Sequence, residues 1–264
     1  MTRNAQIRVM RRVGGLCLAL LVYPLAFAAA DLVAADNADN DPYPEGWNPG
    51  DNGGYGFTEW VILDEGSPGS MYTTASIDND TWSWGLAGTY AVGRGLSNTM
   101  SRGAWTFLAA HGDNLADFSG FNLRSATEVG NGFADTELIR FGLRPEDPTG
   151  AYVSTNAGAD YVFLDCGWLD GTGALIEYRI SWDQTGLWTL RINNLDEEIT
   201  ETFSGALGGD GPVAMLGAGV FGATIDEQMT FDDLRVTPEP ATLLMWLFGA
   251  SLMALTRRRG RLPV

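Results

Sequence analysis

A chain of 264 residues, 45% hydrophobic and 11% aromatic, is long enough to bury a sizeable core. It holds no lysine, and 33 acids against 16 arginines give a net charge of −17, which argues against nucleic acid or anionic lipid as a partner. Of its two cysteines, Cys17 lies near the start, so Cys166 alone remains in the body of the chain and no internal disulfide can form there.

In chain order, the first segment carries Arg3, Arg8, Arg11 and Arg12 and no acid. An apolar run over 13–30 follows and closes on Ala26-Phe27-Ala28 and Ala28-Ala29-Ala30. A positive start, a short apolar core and a small-x-small exit read as a secretory signal peptide over 1–30, handled by the export translocon. An uncleaved anchor is the alternative, weakened by Gly14, Gly15 and Pro24. Residues 31–54 are rich in Asp, Asn, Pro and Gly and are expected to form a flexible acidic leader. With both ends removed, 8 arginines face 32 acids (33 less Glu239), a net charge of −24. That balance suits solubility, divalent cations or a saline habitat.

Beyond the leader, short runs rich in Val, Ile, Tyr, Trp, Phe and Thr alternate with Gly, Asp and Asn. Strands are expected near 55–63, 71–77, 82–92, 104–110, 118–125 and 137–143, then near 161–167, 174–182, 187–193, 198–203, 213–221 and 229–236. No stretch carries a helical period. Ile176, Tyr178, Ile180 and Trp182 share a face, and Asp183 to Gly186 turns the chain back. So many strands in one domain, 55–237, predict two packed sheets. In its strand Cys166 is expected to be a buried, inert thiol.

Pro238-Glu239-Pro240 opens the tail. An uncharged run over 241–255 follows, ~22 Å long as a helix and short for a bilayer core of roughly 30 Å. Arg257, Arg258, Arg259 and Arg261 come next and should stay cytoplasmic as a membrane stop. This order of parts over 238–264 resembles the PEP-CTERM sorting signal of Gram-negative bacteria. The resemblance implies an inner-membrane-anchored intermediate, cleavage by an exosortase near Pro238 to Pro240, and release to the cell surface or the exopolysaccharide matrix. A plain single-pass anchor shares the topology and differs in processing.

The passage YRISWDQTGLWTLRINN, with MTFDDLRV before the tail, is similar to the closing half of a concanavalin A-like or laminin-G-like jelly roll. WSWGLAGTYAVGRGLS and GFNLRS with ELIRFGLRP resemble its front half. The fold implied is an all-β, two-sheet antiparallel jelly-roll sandwich.

Catalytic patterns are thin. His111 is expected in a solvated turn, no G-x-S-x-G elbow occurs, and no acidic cluster has the spacing of paired glycosidase carboxylates, so no catalytic residue is assigned. Calcium is the candidate cofactor, with Asp78 and Asp80 in an oxygen-rich loop, and Asp232 and Asp233 at a position similar to one in laminin-G-like domains. Trp82 and Trp84, two apart on one sheet face, could stack on sugar rings if exposed, or fill the core if not. Three readings stand: a non-catalytic surface or matrix module, a carbohydrate-binding lectin, and a polysaccharide-active enzyme.

Overall fold

Alternation of apolar and polar side chains builds the hairpin between Leu175–Trp182 and Leu187–Asn194. Ile176, Tyr178, Ile180 and Trp182 are buried, and the residues between them are partly exposed, because successive strand residues point to opposite faces. Asp183 Oδ1 holds the turn, accepting from the Thr185 hydroxyl at 2.6 Å, the Thr185 N–H at 2.8 Å and the Leu187 N–H at 3.1 Å. These bonds, the Thr185 hydroxyl foremost, hold the Asp183 carboxyl below its ordinary pKa.

The computed structural model describes residues 32–38, 50–64, 75–76, 81–85, 88–112, 118–127, 136–156, 158–168, 171–223 and 228–238. Among them are β1 (Ala34–Asp36), β2 (Phe57–Asp64), β3 (Ala75–Ser76), β4 (Thr81–Gly85), β5 (Gly88–Met100), β6 (Gly103–His111), β7 (Phe118–Arg124) and β8 (Glu137–Leu143). Then come β9 (Gly150–Ser154), β10 (Val162–Asp165), β11 (Leu175–Trp182), β12 (Leu187–Asn194), β13 (Ile199–Ala206), β14 (Val213–Ala223) and β15 (Gln228–Thr237).

One sheet runs β13-β12-β11-β6-β15-β4-β3, with β1 also on β15; the other runs β10-β9-β8-β7-β14-β5-β2. All strand pairs are antiparallel. The chain changes sheet at β1/β2, β2/β3, β4/β5, β5/β6, β6/β7, β10/β11, β13/β14 and β14/β15. Neighbours in each sheet therefore come from distant parts of the sequence, the connectivity of a jelly roll. The two-sheet antiparallel sandwich expected from the sequence is the architecture found.

The sheets meet on aromatic rings. Trp105 and Phe107 of β6 lie 4.2 Å apart between centroids, Phe107 lies 4.2 Å from Phe121 of β7, and Tyr178 of β11 lies 5.7 Å from Phe141 of β8. Full burial of a ring of this size contributes about 1.5–3 kcal/mol, so this group anchors one sheet to the other. Cys166 is buried beside it in the core as expected, and burial pushes its thiol up to about 12.

Three expectations need correction. The run over 82–92 is two strands on different sheets, β4 against β15 and β5 against β14. Its apolar composition continues through the change of sheet, so composition could not mark the break. The leader is not wholly loose: β1 pairs with β15, and Asp36 forms a buried ion pair with Arg94. Gly54 and Gly56, at φ 66° and 76°, let the chain pass against β1, where Tyr55 exchanges backbone bonds with Ala35 at 2.9 and 3.0 Å. Finally, β9 had no counterpart among the expected strands.

Candidate functional site

Strands β7 and β8 are buried at all seven positions, a pattern neither β11 nor β12 shows. Their inward residues, Phe121, Leu123, Ile139 and Phe141, belong to the core. The alternate residues, Asn122, Arg124 and Arg140, point to the other face of the seven-stranded sheet together with Glu137, and all four are buried there. A polar cluster under cover must satisfy its own bonds, because an unpaired buried charge is costly. Arg140 does this for Glu137: Nε donates to both carboxylate oxygens at 3.1 and 3.0 Å, and Nη2 donates to Oε2 at 2.8 Å. Asn122 Nδ2 adds a bond to Oε2 at 3.4 Å. Arg124 Nη2 donates to the Thr136 hydroxyl at 2.7 Å. Burial lowers the Arg124 pKa, with Glu137 opposing that shift. At Arg140 burial acts the same way, but Glu137 and Tyr161 outweigh it and the pKa is raised.

Toward the β9–β10 edge the cluster becomes aromatic. Arg140 lies 5.6 Å over the Phe118 ring, and Phe118 stacks on Tyr161 at 5.2 Å. Arg144 lies 4.7 Å over Tyr161 and 5.5 Å over Tyr152. Tyr152 is 5.2 Å from Phe163, its partner across β9 and β10. Phe118 is buried, Tyr152 and Tyr161 are half-buried, and Phe163 is 37% exposed. The face thus grades from a fixed Arg–Glu pair to a ledge of partly open rings gripped by arginines, an arrangement that suits flat ligands with weakly polar C–H faces.

The residues singled out in the sequence are dispersed. Pro238 directly follows β15, while Glu239, Pro240, Arg257, Arg258, Arg259 and Arg261 lie outside the described residues. Asp78 and Asp80 also lie outside them. Trp82 and Trp84 sit on β4 opposite Phe231 and Met229, and their side chains are likewise outside the described set. Asp232 Oδ1 accepts from the Ala38 N–H at 2.9 Å, and Asp233, at φ 58°, pairs with Arg235 at 2.7 Å. Among the described residues no three His, Cys, Asp or Glu side chains gather to hold a metal.

His111 is not in a solvated turn. It ends β6 at 1% exposure, with Nδ1 3.1 Å from Ser119 Oγ and Nε2 3.1 Å from Tyr178 Oη. Desolvation takes its pKa down to about 3, so the ring is neutral. The arginine–aromatic face was itself missed. Its one sequence signal is the spacing of Tyr152, Tyr161 and Phe163 beside Arg140 and Arg144, which means little until β9 is known to be a strand.

Residues 236–261 match the PEP-CTERM protein-sorting motif. No curated protein matches the sequence. Among solved structures, lectin II from Ulex europaeus aligns at TM-score 0.48 and 12% identity, over 74% of this chain and 96% of that one. A Bacillus licheniformis β-glucanase aligns at TM-score 0.47 and 15% identity, over 72% and 96%. The VIP36 exoplasmic/lumenal domain, in a Ca2+/Man3GlcNAc-bound form, aligns at TM-score 0.46 and 9% identity, over 68% and 86%. The motif begins at Val236, a buried residue inside β15, so the last core strand runs straight into it. The chain is thus a two-sheet jelly roll that carries the PEP-CTERM protein-sorting motif on its closing strand.

Proposed function

We propose that this protein is an exported, exosortase-processed component of the cell surface or exopolysaccharide matrix, whose jelly roll binds carbohydrate without catalysis. The observation that carries the reading is the ledge of Tyr152, Tyr161 and Phe163 held by Arg144 at the edge of the seven-stranded sheet. Rings presented this way stack on pyranose faces, and guanidinium groups beside them donate to hydroxyls. The sorting motif supports the destination, and the signal-peptide reading of 1–30 supplies the route.

The state of Glu137 supports the non-catalytic reading. This side chain is the buried carboxylate of this face among the described residues, and Arg140 takes both its oxygens. Glycoside hydrolysis needs two carboxyl groups free to exchange protons or attack across a sugar. Glucan and chitin oligosaccharides incubated with the protein should therefore stay intact in a reducing-end assay, and release of reducing ends would overturn the non-catalytic reading. A glycan array run with and without a chelator tests the binding. Retained signal in the chelator is expected, because Asp232 and Asp233 are engaged within the protein. No signal on any glycan would leave a purely structural matrix role.

A further inference from the structure

Strand β10 closes one edge of the seven-stranded sheet and β13 closes one edge of the other. Between them lies a cleft of about 340 Å³, near the small end of ligand sites. Period-two alternation makes β10 serve two surfaces: Phe163 joins the aromatic ledge, while Val162 and Leu164 turn to the cleft. Val162 is 63% exposed at this mouth. Trp188 of β12 completes an apolar wall, and its indole is fixed there by donating to the backbone carbonyl of Ala206 at 3.0 Å.

Polar side chains stand at the rim on the loop after β9, Asn156 and Asp160, and the β13 backbone at Ser204 and Ala206 closes the other side. That loop is pre-shaped. Asn156 Nδ2 donates to Asp160 Oδ2 at 2.7 Å, Asn156 Oδ1 accepts from Ser154 Oγ at 2.8 Å and from the Asp160 N–H at 3.0 Å, and Ser154 Oγ accepts from the Gly158 N–H at 2.9 Å. Little ordering is left for a ligand to cause, which favours binding. Asp160 is the charged group of the lining, so an anionic ligand is disfavoured and hydroxyl donors are favoured.

We infer that this cleft is a second sugar site, taking a single uncharged pyranose that bears a methyl group, either a 6-deoxyhexose or an N-acetylhexosamine. The methyl group packs on Val162, Leu164 and Trp188, and the ring hydroxyls reach Asp160 and Asn156. The inference rests on the carbohydrate-binding reading but uses residues separate from the ledge.

The test is titration of the purified protein with methyl rhamnoside, N-acetylglucosamine, glucose and glucuronate. One or both methyl-bearing sugars should bind on the order of tenfold more tightly than glucose, the effect of one apolar group in a fitted pocket, and glucuronate should be weakest. Val162→Trp, at an exposed strand position whose side chain turns to the cleft, should narrow it and weaken binding at least about tenfold. Asp160→Ala should weaken it in the same direction, and serves if Val162→Trp fails to give a native near-UV spectrum. Titrating each sugar into Tyr152→Ala as well removes any contribution of the ledge to the signal. Equal binding of glucose and the methyl-bearing sugars, or undiminished binding in the folded cleft variants, would overturn the inference. Polymer binding through Tyr152 with no small-sugar binding overturns the cleft alone; absence of both overturns the carbohydrate reading itself.

Discussion

Burial governs the chemistry of individual side chains here, and His111 is the clearest case. Its imidazole is neutral in the folded protein, with a pKa of about 3 against 6.5 for an exposed histidine. Between those values the unfolded chain binds a proton that the folded chain does not, so stability falls as pH drops below 6.5. Urea unfolding at pH 7, 6 and 5.5 should show a loss approaching ~1.4 kcal/mol per pH unit that His111→Gln lacks. Equal slopes in both proteins would refute the assignment. The Arg94–Asp36 pair gives a second test. Both side chains are fully buried, and the guanidinium lies 4.9 Å over Trp60 and 5.0 Å over Phe57. Arg94→Met strands the Asp36 carboxylate and should cost about 3–5 kcal/mol in chemical denaturation, more than Arg94→Met with Asp36→Leu. Local sequence could show neither residue's state. The partners lie 8 and 67 positions from His111, and 58 positions separate Arg94 from Asp36.

At the scale of elements, the terminal strands are interdependent. β1 lies on β15 with Ala34 opposite Val236, and Val33 N–H donates to Val236 O at 2.8 Å. Cutting in the Pro238 to Pro240 region preserves this pairing, whereas ending the chain at Asp233 removes the buried Leu234 and Val236. A chain ending at Thr237 should therefore melt at the same temperature as one released naturally, and one ending at Asp233 should melt several degrees lower by calorimetry. Equal melting temperatures for the two truncations would show that β15 does not secure β1. The strands legible in the sequence are those with one face in the core and one in water, such as β11 and β12, because alternation is then written into residue type. β9 is buried at four of its five positions and begins on Gly150, so it shows no alternation. β1 has three residues in an Asp- and Asn-rich stretch, and its partner lies at the far end of the chain. The ledge was hidden for the same reason, since Tyr152 and Phe163 become neighbours only through β9 and β10 pairing.

For the whole molecule, destination was more legible than activity. The tail's order of Pro-Glu-Pro, apolar run and arginines is local and directional, and it matches a known sorting motif. The proposed sugar recognition draws on rings gathered from three strands and a loop, which no local pattern declares. Replacing Pro238 and Pro240 by Ala should leave the 241–264 tail on the chain, and intact-mass analysis of the exported protein would detect it. An unchanged mass would separate this chain from exosortase processing. As proposed, the exported jelly roll holds polysaccharide on its aromatic ledge. The most direct test is co-sedimentation of the purified protein with exopolysaccharide from the producing cells, comparing wild type with Tyr152→Ala/Phe163→Ala. Wild type should pellet with the polymer, and the double variant should stay in the supernatant with an unchanged melting temperature; equal pelleting of the two, or wild type left in solution, would rule out polysaccharide binding at the ledge.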